Sequence, residues 1–174
     1  MSAKTLISVE DFDRLEEEEF RYELDEGELI TMTRPCVIDA RIARELLFAL
    51  QRYFEAHPIG EALGGNLLFV LGPATKRAPA VSVLMRAIDP DQEIQGAPDI
   101  AAEILSPSNA KPAMKRKLGQ FFATGCKLAW IIDPKTRTVE VWESAVGASR
   151  TLREGESLET PLLPGLTLPL TNLF

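Results

Sequence analysis

The run Asp99-Ile100-Ala101-Ala102-Glu103-Ile104-Leu105 constrains the fold more than any other part of the chain. It is short and almost wholly apolar. Turn chemistry bounds it on both sides, Gly96-Ala97-Pro98 before and Ser106-Pro107-Ser108-Asn109 after. That is the pattern of a central strand buried on both faces. A carboxylate inside such a strand is costly unless it is paired or holds a metal. Glu103 therefore marks a candidate site as well as a strand. Strand alternation puts Asp99, Ala101, Glu103 and Leu105 on one face. Asp99 and Glu103 lie about 13 Å apart at strand rise, too far to share one ion. Asp99 at the strand entry reads as a turn or cap residue. The bland alternative for Glu103 is a buried acid satisfied by Lys117 or by a backbone amide.

The elements around this run give an α/β or α+β domain with a mixed sheet. Ser8 and Asp11 read as an N-cap with an acid in the first turn of a short helix, Val9 to Glu17, with Phe12 and Leu15 turned inward. Phe20–Leu24 and Glu28–Thr33 read as a hairpin around Asp25-Glu26-Gly27. From Val37 to Ala56 the residues Ile38, Ile42, Leu46, Ala49, Leu50 and Tyr53 recur at helical steps, a core-facing stripe. Leu67–Leu71 and Ala80–Met85 read as strands and residues 86–98 as a loop. Lys111–Thr124 reads as a helix closed by Gly125. Leu128–Ile132 is a second buried strand, Arg137–Glu143 an outer one, and the Pro- and Leu-rich tail from Pro161 packs as short extended pieces.

A length of 174 residues with 45% apolar content fits a single domain, 1–174, with a core of its own. No apolar run approaches the ~20 residues of a membrane span, and Met1–Val9 has no signal pattern. Cys36 and Cys126 have no metal-ligand spacing and read as reduced packing residues of a cytoplasmic protein. The net charge is −7, but residues 1–28 carry eleven acids against three bases, which leaves the other 146 residues at +1. The overall acidity thus does not exclude a nucleic-acid partner, although it argues against strong non-specific binding. Glu16–Glu19 read as a solvated helix end.

The sequence holds no Walker loop, no GxGxxG and no GxSxG. His57, the only histidine, sits at a helix end and reads as structural. One ordered set of motifs is more specific. It runs from Tyr22-Glu23-Leu24-Asp25-Glu26-Gly27-Glu28-Leu29 through Pro98-Asp99-Ile100 and Glu103-Ile104-Leu105-Ser106-Pro107-Ser108. Lys117-Leu118, Gly125 and Trp130-Ile131-Ile132-Asp133-Pro134 follow, and the tail is Pro161-Leu162-Leu163-Pro164-Gly165-Leu166 with Leu173-Phe174. Across nearly the whole chain this resembles the Uma-type family of restriction endonucleases, a bacterial family placed in the PD-(D/E)XK nuclease superfamily.

The resemblance implies a restriction-endonuclease-like fold, with a central mixed sheet flanked by helices, and a Mg²⁺-dependent site acting on DNA phosphodiesters. In that pattern a strand Asp follows a Pro, Glu103 matches the Glu of the next strand, Lys117 the basic residue of the following helix, and Glu23 an upstream acid. Oxygen ligands would hold the metal, which polarises the phosphate and activates a water that the lysine orients. This chain departs from the pattern at Pro79-Ala80: a methyl group stands where the metal-binding Asp belongs. Ser82 shares that face but is a poor Mg²⁺ ligand. Asp39 stands where the family often has a His before the long helix, and reads as a helix-start residue.

Two function classes follow, a nuclease working through Glu103, Lys117 and Glu23, and a catalytically inactive relative that binds nucleic acid or a protein. Lys111, Lys115 and Arg116, with Lys127, Lys76 and Arg77 nearby, form a candidate phosphate face or a merely solvated one. Trp130 and Trp142 read as packing residues. Weak DNA binding, a homodimer by analogy with duplex-cutting enzymes, and no membrane association are the expected partnerships.

Overall fold

The computed structural model describes residues 6–15, 22–32, 34–65, 67–106 and 111–174. Its elements are, in order, α1 (Val9–Phe12), β1 (Tyr22–Asp25), β2 (Glu28–Thr31), α2 (Val37–Ala56), β3 (Glu61–Gly64), β4 (Phe69–Gly72), β5 (Thr75–Arg77), β6 (Val81–Leu84) and β7 (Ile94–Gln95). Then come β8 (Ile100–Ile104), α3 (Lys111–Ala123), β9 (Leu128–Asp133), β10 (Thr138–Trp142), β11 (Ala148–Arg153), β12 (Ser157–Leu158), β13 (Leu168–Pro169) and a 3-10 turn at Leu170–Asn172.

The buried run around Glu103 becomes β8, inside a six-stranded mixed sheet ordered β11-β10-β9-β8-β6-β3. Only the β8–β9 pair is parallel, because α3 carries the chain back across the sheet between them. Alternation along β8 feeds two cores. Ile100 and Ala102 face Ile42, Leu46 and Leu50 of α2, while Ala101 faces Leu118 and Phe121 of α3. Trp130 is fully buried in the α2-side core, and the tail closes that core with Leu158, Leu163, Leu168 and Leu170. The tail does so in short pieces, β12 paired with β13 and the 3-10 turn.

A second, five-stranded sheet, ordered β2-β1-β5-β4-β7, was not read as separate from the sequence. Its strand β5 was also missed, since Thr-Lys-Arg is not a strand composition. All three residues are nevertheless buried, because acids cover the cations: Lys76 pairs with Asp13 and Glu93, and Arg77 with Glu23 and Asp25. The β1–β2 hairpin turns through Glu26 and Gly27 with φ of 50° and 86°. Positive φ at both central residues is what a two-residue hairpin turn following the strand twist requires.

Four local readings need correction. Ile38 is 40% exposed, off the core stripe of α2, and Leu15 is 46% exposed just beyond α1. Cys36 is an exposed residue at the start of α2, whereas Cys126 is buried, and burial pushes its thiol up to about 11. Helix α1 is recorded over four residues. The proposed continuation toward Glu17 does not form, since Asp13–Leu15 are turn and bend; the Glu16–Glu19 run, Phe20, Thr33 and the Pro107–Asn109 part of the cap lie outside the described residues. Among the described residues no helix is long and apolar enough to cross a membrane.

Candidate active site

Three elements bring the sequence-predicted groups together: β1 carries Glu23, β8 carries Glu103 and α3 carries Lys117. The Lys117 Nζ lies 2.6 Å from Glu103 Oε1 and 2.7 Å from Glu23 Oε1, and donates to the carbonyl of Ala78 at 2.9 Å. All three side chains are buried. The contact between Lys117 and Glu103 is close but poorly directed for a hydrogen bond, so Glu103 is held mainly by charge. Glu23 is better satisfied, accepting from the Ala78 N–H at 2.8 Å and from Arg77 Nη1 at 3.1 Å.

These environments order the titrations. Burial disfavours the ionised form of Glu103 and Glu23 adds like-charge repulsion; Lys117 pulls the other way and does not prevail, so the carboxyl sits above the usual range. For Lys117, burial disfavours the ammonium, but the adjacent Glu103 and Glu23 outweigh it and push its pKa up. Burial beside Glu23 thus favours the neutral form of Glu103, while the two carboxylates keep Lys117 charged.

Arg77 is the site-proximal residue whose part sequence reasoning missed. Its Nε donates to Gln120 Oε1 at 2.7 Å, and its Nη2 meets Asp25 at 2.7 Å. Asp25 also accepts from Gln120 at 2.7 Å and pairs with Arg116 at 3.1 Å. The available signal was Glu23 and Asp25 at i,i+2 on one strand, two acids on one face that call for basic partners on the neighbouring strand.

Ala80 falls where expected. Strand β6 pairs Val81 with Ala102 and Ser82 with Ala101, and continuing that register by one residue sets Ala80 opposite Glu103. Both line a cavity of about 550 Å³, together with Glu23, Lys117, Arg77 and Asp39. Ser82 is buried away from this group and donates to the Leu63 carbonyl at 3.3 Å. Asp39 reaches the cavity, but its carboxylate accepts from the Cys36 N–H at 3.0 Å, the helix-start role read from the sequence.

The expected basic face is largely neutralised. Arg116 pairs with Asp25 and Glu26, Lys127 with Asp99, and Lys76 and Arg77 are buried among acids; Lys115 is exposed. Asp99 caps as expected, accepting from the Met85 N–H at 2.8 Å. His57 closes α2, stacked on Tyr53. Trp142 packs half-buried on β10, its indole N–H donating to Glu140; β10 lies between β9 and β11, so the strand read as an outer one is interior and the sheet edge belongs to β11.

Comparison with known proteins agrees with this architecture. A crystal structure described as a putative nuclease belonging to DUF820, from Anabaena variabilis ATCC 29413, superposes with a TM-score of 0.81 over 97% of both chains. Its sequence is 24% identical, a likeness that carries the fold alone. None of the curated proteins matches the chain. The model of the Uma2 family, described as putative restriction endonuclease, matches residues 9–171. With the motifs in order from β1 to the tail and the fold of a nuclease-like relative, the chain belongs to the Uma2 family of putative restriction endonucleases.

Proposed function

We propose that the chain is a nuclease-family protein directed at DNA phosphodiesters whose own site does not sustain Mg²⁺-dependent cleavage. The observation that carries this is the Lys117 ammonium set 2.6 and 2.7 Å from the two carboxylates, with Ala80 opposite Glu103. Mg²⁺ needs a near-octahedral oxygen set and sheds its own waters reluctantly. Here the donors are two carboxylates, both turned onto the protein's own cation, and the position for a third acid is a methyl group. Among the described residues no group of three or more acids, cysteines or histidines could hold a metal ion. The residues present do not fit the ion, so no catalytic step is assigned through it.

What the chain's own residues do is bind. Among the charges that line the cavity, Glu23, Asp25, Asp39 and Glu103 outnumber Arg34, Arg77 and Lys117, which leaves no net attraction for phosphate there. Contact with a DNA backbone falls to exposed Lys115, beside Arg116 and with Lys111 one turn earlier, and is weak. Two copies, one for each strand of a duplex, complete the reading.

A second reading, retained cleavage, rests on Glu23: it reaches the same ammonium as Glu103 and supplies a second acid. The deciding experiment incubates supercoiled plasmid with the native chain, Glu103→Ala, Ala80→Asp and Ala80→Asp/Glu103→Ala, each with Mg²⁺ and with Mn²⁺. The proposal expects nicking by Ala80→Asp alone. Nicking by the native chain that Glu103→Ala abolishes establishes the second reading instead.

A further inference from the structure

We infer that the outer face of α2 is a two-fold interface with a second copy of this chain, packed antiparallel about Phe48. At 100° per residue, Val37, Arg41, Glu45, Phe48, Arg52 and Glu55 fall within a narrow stripe on one side of the helix. Val37 and Phe48 are 69% and 54% exposed, a large apolar cost for a helix facing only water. Ile59, 47% exposed, follows two residues past the cap. Nothing within the chain covers the charges at the two ends of the stripe: among the described residues neither Arg41 nor Arg52 has an ion-pair partner, and Glu55 has none.

The order of these residues is what selects the occupant. In an antiparallel pair centred on Phe48, each residue n before the centre meets the residue n after it on the partner. Arg41, seven before, then meets Glu55, seven after. Phe48 packs against its own copy. Arg44, four before, meets Arg52, four after, and Glu45, 3.1 Å from Arg44 Nε, stands beside that meeting to offset the two cations. Arg41 and Glu55 exchange signs about the centre and Phe48 meets itself, as a self-complementary two-fold surface requires. A nucleic-acid backbone is the poorer fit, because Glu45 and Glu55 stand among the arginines and repel phosphate. Asp39 and Ala40 at the start of the same helix line the cavity, so the pairing sets the end of the partner's helix beside each cleft.

This surface rests on the two-copy part of the proposed function and not on its chemistry. The test is sedimentation equilibrium of the full chain from about 1 to 100 μM, with circular dichroism confirming that each variant folds. A dimer is expected, and Phe48→Asp should be monomeric. Arg41→Glu and Glu55→Arg should each weaken association by about tenfold, since each reverses two symmetric ion pairs, and the combined Arg41→Glu/Glu55→Arg swap should restore it. A dimer that persists in Phe48→Asp, or a swap no better than its single changes, overturns this surface while leaving the two-copy reading standing. A native chain monomeric at 100 μM overturns both. Loss of binding to a short DNA duplex in Arg41→Glu and Arg52→Glu, with the chain monomeric throughout, assigns the face to nucleic acid and also overturns the proposal.

Discussion

Lys117→Met should be among the most destabilising single changes this chain can suffer, and its deficit should depend on pH. Among the described residues, the substitution removes the only cation touching Glu103 and one of two touching Glu23. It keeps an unbranched side chain of similar length, so little packing is lost beyond the ammonium's place 5.9 Å over the Phe121 ring. Two carboxylates are then left buried beside each other. Breaking a buried pair by removing one partner costs about 3–5 kcal/mol. In a domain of this size that lowers the melting temperature by roughly 6–20 °C. The pH sign follows from Glu103, whose folded pKa is already above its unfolded value and rises further without Lys117. Such a group favours the folded state fully below its unfolded pKa, and that contribution is lost as pH rises through the folded pKa. The gap between native and Lys117→Met should therefore widen from pH 5 to pH 8, as measured by urea unfolding. Glu103→Gln added to Lys117→Met should recover most of the loss. A Lys117→Met protein within about 1 kcal/mol of native at both pH values would falsify the argument that the ammonium neutralises the carboxylate pair.

Three further outcomes follow. Asp99→Asn tests the opposite pH sign: burial works against the Asp99 carboxylate, but Lys127, the Met85 N–H and Arg86 outweigh it and hold its pKa below 3.8. Its contribution, on the order of 1 kcal/mol for a pair near the surface, should be full above about pH 5. It should vanish as pH falls through the lowered folded pKa, so native and Asp99→Asn melts converge in acid. Gly60→Ala should cost about 2 kcal/mol or more in a thermal melt, because the added Cβ would stand 2.4 Å from the Leu84 carbonyl oxygen and 3.1 Å from Met85 Cα, both backbone atoms. Glu103→Gln removes the excess acid of the cavity lining and leaves Glu23, Asp25 and Asp39 balanced by Arg34, Arg77 and Lys117, so affinity for a short DNA duplex at low salt should rise as repulsion is relieved; an unchanged affinity would remove the floor from the DNA-facing surface.

The sequence carries the sheet and helices where burial alone sets them. The apolar runs at Ile100–Ile104 and Leu128–Asp133 and the stripe of α2 translate directly, as does the Ser8–Asp11 capping box. It conceals β5, whose Lys76 and Arg77 look like surface cations until Asp13, Glu93, Glu23 and Asp25 arrive from elsewhere in the chain. Charge pairing across long sequence separation has no local period, so both the second sheet and the role of Arg77 escape a periodicity reading. The meeting of Glu23, Glu103 and Lys117 was legible through the ordered motifs, and the position of Ala80 through strand alternation. That Arg116 of the basic helix face is already bound to Asp25 and Glu26 was not legible, because both come from the hairpin some ninety residues earlier.

The central claim, that the protein's own ammonium serves two carboxylates which lack a third, is tested most directly by calorimetric titration with Mn²⁺ and Mg²⁺. The native chain should give no saturable heat up to millimolar metal. Ala80→Asp, which sets a third carboxylate opposite Glu103, should bind one ion, and saturating metal should raise its melting temperature, about 2.7 kcal/mol of stabilisation at a hundredfold excess over Kd. Micromolar binding of one Mn²⁺ by the native chain, lost in Glu103→Ala, would contradict the account.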